Sequence, residues 1–266
     1  MAKLVPVSRA EERLWRFLKE LASAAGDRWD DVVLLGGTMV RVHEVIHTGD
    51  GRRVTRVSAD ADFALKPETE LVAERSFAEI LGSLGLRPTT RPPDQVTFVR
   101  EAGDGSIDVQ VDLVAASPRD RFSELSQATE IGEYHRVAIA PGADVAVARS
   151  AVVQVDVTGI GTLNVRLPDL ESAVVTKLCN LRLDRHKHVQ DLQDVETLLG
   201  LIGDDVSELI ALLCDTDAGG WAMEALQLSF GAGGDARLRL ADAGLDGRVL
   251  VVRARALMAQ IDCDQR

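Results

Sequence analysis

Between Val32 and Leu65 the chain passes through an apolar run, a glycine pair and an acidic segment, an order that few folds accommodate. Val32, Val33, Leu34 and Leu35 form a short apolar run rich in β-branched residues and read as a buried strand. From Thr38 to His47 the apolar residues Val42, Val45 and Ile46 suit a helix, so Gly36 and Gly37 fall at a strand-to-helix turn. Backbone without Cβ atoms can approach an anion closely. Free N–H groups at the helix start add partial positive charge, and Thr38 adds a hydroxyl donor, so the turn suits phosphates. Taken alone, a double glycine after a strand is more often just a tight turn.

The acidic segment is Ser58-Ala59-Asp60-Ala61-Asp62-Phe63-Ala64-Leu65. If it is a strand, Asp60 and Asp62 share one face while Ala61, Phe63 and Leu65 share the other. Two carboxylates roughly 6–7 Å apart along a strand can grip one or two hard cations. An exposed edge strand is the simpler explanation. It is weakened because Asp is unfavourable in strands, and neighbouring carboxylates repel unless a cation offsets them.

A third acidic strand is expected where Ile107, Val109, Val111 and Leu113 alternate with Asp108, Gln110 and Asp112. Asp112 leads into the apolar Leu113-Val114 end and is the favoured third carboxylate. Asp108 adjoins the turn-like Gly103-Asp104-Gly105-Ser106 and is expected to face solvent. Three carboxylates can serve a two-metal site, with metals about 3.5–4 Å apart, that holds a nucleotide and polarises an acceptor hydroxyl.

The order Gly36-Gly37-Thr38, Ser58-x-Asp60-x-Asp62, then Asp112 resembles the DNA polymerase beta-like nucleotidyltransferase superfamily. Further on, Arg166-Leu167-Pro168-Asp169-Leu170-Glu171-x4-Thr176-Lys177-Leu178, then Gln190-Asp191-Leu192-Gln193-Asp194-Val195-x3-Leu199, is similar to one branch, the AbiEii/AbiGii toxin family. The resemblance covers about residues 32 to 200 and implies an α+β fold, a nucleotidyltransferase-type mixed sheet with flanking helices, followed by a helical C-terminal region. It implies that Gly36, Gly37 and Thr38 hold a triphosphate. Asp60, Asp62 and Asp112 would bind Mg2+, and Lys177 would contact the nucleotide, with Asp191 and Asp194 on the nucleotide side. It further implies transfer of a nucleoside monophosphate from an NTP, CTP or UTP among the candidates, to the 3′ end of tRNA. A cognate antitoxin would be the protein partner. The family's last motif usually opens with lysine; Gln190 stands there instead and removes a positive charge.

The residues themselves leave other readings of the C-terminal part open. Pro168 can occupy the first turn of a helix with the stripe Leu170, Val174, Leu178 and Leu181, which leaves Lys177 at the edge of a buried face, where lysines commonly snorkel to water. Asp191 and Asp194 are three apart on the next helix and share a face that is either solvated or able to hold Lys177 or Lys187.

With 266 residues, 46% of them apolar, the chain can build one large or two modest cores; a catalytic domain over 1–165 and a helical domain over 166–266 are expected. Lys plus Arg is 30 against 42 for Asp plus Glu, a formal charge of −12. That balance opposes extended contact with nucleic acid, leaving Arg52, Arg53 and Arg56, or Arg182, Arg185, His186, Lys187 and His188, as local basic mouths. It favours an alternative acceptor, a cationic small molecule of the aminoglycoside or lincosamide kind. A non-catalytic nucleotide-binding module is a further alternative, to which Gln190 lends support.

Other chemistries lack their residues. Cys179, Cys214 and Cys263 are far apart, with neither zinc spacing nor a disulfide framework, and the five histidines form no HExxH pattern. The amino-terminal Met1 to Val7 is too short for a signal segment and no run reaches membrane-spanning length, so a cytoplasmic protein without membrane partners is expected.

Ser8 and Glu11 form a capping-box pattern for a helix with Leu14, Phe17, Leu18 and Leu21 on one face, ending near Gly26. Residues 70 to 83 read as a helix, and residues 87 to 93 as a proline-rich connection to a strand from Gln95 to Arg100. The runs Val145 to Val147, Val152 to Val157 and Leu163 to Val165, with a turn at 158–161, predict an antiparallel addition to the sheet. Residues 249 to 261 read as a final core helix.

Overall fold

The computed structural model describes residues 2–52, 54–66, 69, 74–91, 95–116, 128–131, 135–182 and 188–264. Two compact units divide the chain, Met1–Pro168 and Asp169–Arg266. The chain adopts the expected α+β fold, with a mixed sheet and flanking helices in the first unit and helices alone described in the second.

The first unit opens with β1 (Ala2–Leu4) and α1 (Arg9–Ala25). Ser8 caps α1, its hydroxyl accepting from Glu11 N at 3.1 Å. Glu11 does not close the box on Ser8: its carboxylate accepts from Val7 N at 2.7 Å and meets Arg41 at 3.0 Å. Leu14, Phe17, Leu18 and Leu21 are all buried, as the helical stripe requires.

The main sheet runs β2-β3-β6-β5-β4, where β2 is Val33–Leu35, β3 Asp60–Leu65, β4 Arg87–Arg91, β5 Gln95–Glu101 and β6 Ile107–Ala115. β3 and β6 are parallel; β2 on β3, and β5 on β6 and β4, are antiparallel. β8 (His135–Ile139) extends the sheet parallel to β6 at Val114 and Ala115 and carries β7 (Ala128–Ile131). The expected connection at 87–91 is strand β4, with Pro88 opposite Phe98, because an edge strand needs no N–H donor on its open side. The helix expected over 70–83 is described as α3 (Phe77–Ser83), opened by a Ser76–Glu79 capping box; residues 70–73 lie outside the described residues. Phe63 of β3 stacks edge-on with Trp29 at 5.6 Å and Phe77 at 5.8 Å, tying the back of the acidic strand to both neighbours.

Two expectations for 136–165 are corrected. Residues 145–147 are helical, in α4 (Ala143–Ala148), where Ala143 and Ala146 recur at helical spacing and are buried beside Val145. The hairpin of β9 (Ser150–Val157) and β10 (Gly161–Pro168) forms a separate three-stranded sheet with β1 rather than joining the main one. β1 supplies the free edge that captures it. The 158–161 turn forms as read, with Gly159 and Gly161 at φ of 79° and 104°.

The second unit holds α5 (Leu170–Arg182), α6 (His188–Ile202), α7 (Ser207–Asp215), α8 (Asp217–Phe230), α9 (Ala236–Asp242) and α10 (Arg248–Asp264). Pro168 ends β10 rather than starting α5; Asp169 caps α5 instead, its carboxylate accepting from Ser172 N at 2.9 Å. α5 is buried on nearly every side, from Leu170 through Cys179, so it is the central helix of the unit. Leu250, Leu257 and Ile261 of α10 are buried, as expected of a core helix.

Candidate metal centre

β2 ends at Leu35, opposite Asp62, and the next residue turns the chain into α2 (Gly36–Thr48). Gly36 has φ of 66°, and a Cβ there would lie 1.7 Å from Asp62 Oδ2, so both conformation and space demand glycine. A Cβ on Gly37 would lie 2.3 Å from the Arg56 guanidinium and 2.8 Å from Ser58 Oγ. The glycine pair therefore lets a carboxylate, a guanidinium and the start of α2 meet. Leu35 at the N-cap offers no side-chain acceptor to the α2 N–H groups.

Thr38 is buried, and its hydroxyl donates to the carbonyl of Asp60 at 2.8 Å. A hydroxyl has one proton, so the donor expected for a phosphate is engaged inside the fold and fixes the first residue of β3. Ser58 Oγ donates to Asp60 Oδ1.

The parallel register of β3 and β6 pairs Asp62 with Asp112 and Asp60 with Gln110. Oxygens of Asp60, Asp62 and Asp112 all lie within 4.8 Å of one another, the one such group of metal-type side chains among the described residues. Each residue is half-buried. Asp112 Oδ2 accepts from Gln110 Nε2 at 3.0 Å, whereas Asp112 Oδ1 is buried without a hydrogen-bond partner among the described residues. A buried carboxylate oxygen left unsatisfied is costly, and three converging carboxylates repel. An all-oxygen donor set, one of whose carboxylates has an oxygen without a hydrogen-bond partner among the described residues, fits a hard divalent cation such as Mg2+.

Asp108, expected in solvent, is instead bound by Arg13 at 3.0 Å and Arg100 at 3.2 Å and stands outside the triad. Gln110 was legible only as a polar residue on the acidic face; its place two residues before Asp112 is the signal that marks it.

Lys177 does not snorkel. It is 3% exposed within α5, its Nζ 2.7 Å from Asp194 and 3.4 Å from Asp191 on α6. A helix encased on all sides leaves a lysine no route to water, so the acidic face of α6 neutralises it where it stands. Gln190 is exposed, and its presence leaves this buried ion cluster intact. Of the basic clusters, Arg182 pairs with Glu224 at 2.6 Å and lies over the Trp221 ring, while Arg53, Arg185, His186 and Lys187 fall outside the described residues. Cys179 is buried, its thiol donating to the Ala218 carbonyl at 3.4 Å, and Cys214 is exposed; neither forms a disulfide among the described residues. No described helix is long and apolar enough to cross a membrane.

No family model and no curated protein matches the chain. One solved structure is similar, an antigenic nucleotidyltransferase-like protein from Paracoccidioides brasiliensis, with 14% identity and a TM-score of 0.46 over 90% of this chain and 93% of that one. At that degree of likeness the functional reading stands on the site's own chemistry.

Proposed function

We propose that the chain is a magnesium-dependent nucleotidyltransferase that moves a nucleoside monophosphate from an NTP to an acceptor hydroxyl and releases pyrophosphate. The observation that carries this is the convergence of Asp60, Asp62 and Asp112 within 4.8 Å, with Asp112 Oδ1 buried and unpartnered, against the Gly36 turn. Asp60, Asp62 and Asp112 hold the metal in this reading; bound there, Mg2+ neutralises triphosphate charge and makes the acceptor hydroxyl more acidic. The N–H groups that begin α2 and the Arg56 guanidinium beside Gly37 bind the triphosphate, favouring the charge that builds on the leaving pyrophosphate. As the acceptor oxygen bonds to the α-phosphorus and the bond to the bridging oxygen breaks, Asp112 takes up the hydroxyl proton.

Gly36, Gly37 and Thr38 shape the turn, with Thr38 acting through Asp60. Lys177, Asp191 and Asp194 act as one unit: a lysine already neutralised by two carboxylates has little charge to offer a phosphate, so we assign the three to holding α5 on α6. The residues 1–165 would then be the catalytic domain.

For the acceptor we propose the 3′ end of tRNA, extended from CTP or UTP by a toxin that an antitoxin restrains, which follows from the resemblance of the four ordered motifs to AbiEii toxins. Expression of the wild type should then stop growth while Asp62→Ala does not; equal toxicity of the two removes this reading. The formal charge of −12 favours a second acceptor class, a cationic small molecule such as an aminoglycoside, through electrostatic attraction. Survival of expressing cells on an antibiotic panel separates the two.

A further inference from the structure

Resting on the metal-centre reading above, we infer that Gln110 is a positioning residue that orients Asp112 for the cation. Four side chains form a square on one face of the β3–β6 pair: Asp60 opposite Gln110, and Asp62 opposite Asp112. Three of the corners are carboxylates. The fourth is an amide that donates from Nε2 to Asp112 Oδ2 at 3.0 Å. That bond engages Oδ2 and fixes the rotation of a carboxylate that belongs to the cluster, while Oδ1 is buried without a hydrogen-bond partner among the described residues.

The choice of an amide at this corner follows from charge. A carboxylate there would add a fourth negative group to three that already repel, and an aliphatic side chain would leave Asp112 free to turn either oxygen to the cluster. Glutamine donates without charge and reaches the carboxylate two residues along the same strand. Residues that hold a metal-binding carboxylate in place typically change affinity roughly 10–100-fold when removed.

The test is Mn2+ binding to the full chain, read from the electron paramagnetic resonance signal of the free ion, with thermal unfolding as the check that each variant is folded. Gln110→Met keeps the length of the side chain and removes the donor; it is expected to weaken Mn2+ binding by about 10-fold or more. Asp112→Asn is expected to weaken it further, and the double variant Gln110→Met/Asp112→Asn to bind no worse than Asp112→Asn alone, because Gln110 acts through Asp112. In turnover, Gln110→Met should lower kcat more than it raises KM for the NTP. Equal Mn2+ binding by wild type and Gln110→Met, or losses that simply add in the double variant, overturns the role of Gln110 and leaves the metal centre standing. A wild type that does not bind Mn2+ overturns both.

Discussion

Asp62 and Asp112 stand directly opposite each other across the parallel β3–β6 pair, and the Asp62 carboxylate presses on Gly36, where the chain enters α2. Like charges facing each other across strands destabilise a sheet, and nothing in the apolar packing on the opposite face, Phe63 on Trp29 and Phe77, requires acids here. In the function proposed above, a cation held between the carboxylates would offset this repulsion, and the start of α2 would take a phosphate.

Gly36 and Gly49 separate the two costs that a glycine can carry. Both have positive φ, 66° and 68°, but a Cβ on Gly36 collides with Asp62 whereas one on Gly49 meets nothing within 4 Å. Gly49→Ala should cost about 1 kcal/mol of stability and leave nucleotidyl transfer unchanged, while Gly36→Ala should also displace Asp62 and lower transfer at least tenfold. Chemical denaturation and a transfer assay on the two variants check this.

The buried Arg41–Glu11 pair should be the costliest polar contact of the first unit. Arg41 also donates to the carbonyls of Val5 at 3.2 Å and Gly51 at 2.7 Å, so one guanidinium ties the segment just after β1, helix α1 and the chain at Gly51 to α2. Arg41→Met leaves a buried carboxylate uncompensated and should destabilise by about 3–5 kcal/mol, measured by urea unfolding.

Lys177→Met tests whether the second-unit ion cluster is structural. It should cost about 3–5 kcal/mol, and the added change Asp194→Leu should recover part of it by removing a stranded charge. NTP affinity of the folded fraction should change little. A variant of normal stability with lost NTP binding would return Lys177 to the nucleotide.

Burial pushes the Glu196 carboxyl above its ordinary value, partly offset by Arg253 and reinforced by Asp246. A raised carboxyl pKa means that the folded state favours the proton: the stability it contributes is present at acid pH and is lost as pH rises through the folded value. Glu196→Gln should therefore raise the unfolding temperature near neutral pH and lose that advantage near pH 4, as melts across the range would reveal.

Much of this site is visible in local pattern. Alternation placed Asp60 and Asp62 on one face, and the glycine pair after an apolar run located the start of α2, because both signals depend only on near neighbours in the chain. Partners chosen at long range are not visible. Thr38 offers the same hydroxyl to a phosphate or to the Asp60 carbonyl, and only the packed fold selects the second. Residues 145–147 look like a strand by their β-branching, yet alanines at helical spacing and a buried face win. β9 and β10 form the hairpin that their turn predicts, but which edge receives it was decided by the amino-terminal strand. Lys177 reads as amphipathic until helices surround it on every side.

The most direct measurement is transfer itself. Purified wild type and Asp62→Ala are incubated with Mg2+ and each α-labelled NTP in turn, with total tRNA or an aminoglycoside set as acceptor. Label moving to an acceptor with wild type alone, abolished by chelation of the metal, is the expected result, and the acceptor that takes it names the substrate. Label transferred equally by Asp62→Ala, or by wild type with the metal removed, would contradict a reaction carried by the Asp60, Asp62 and Asp112 centre.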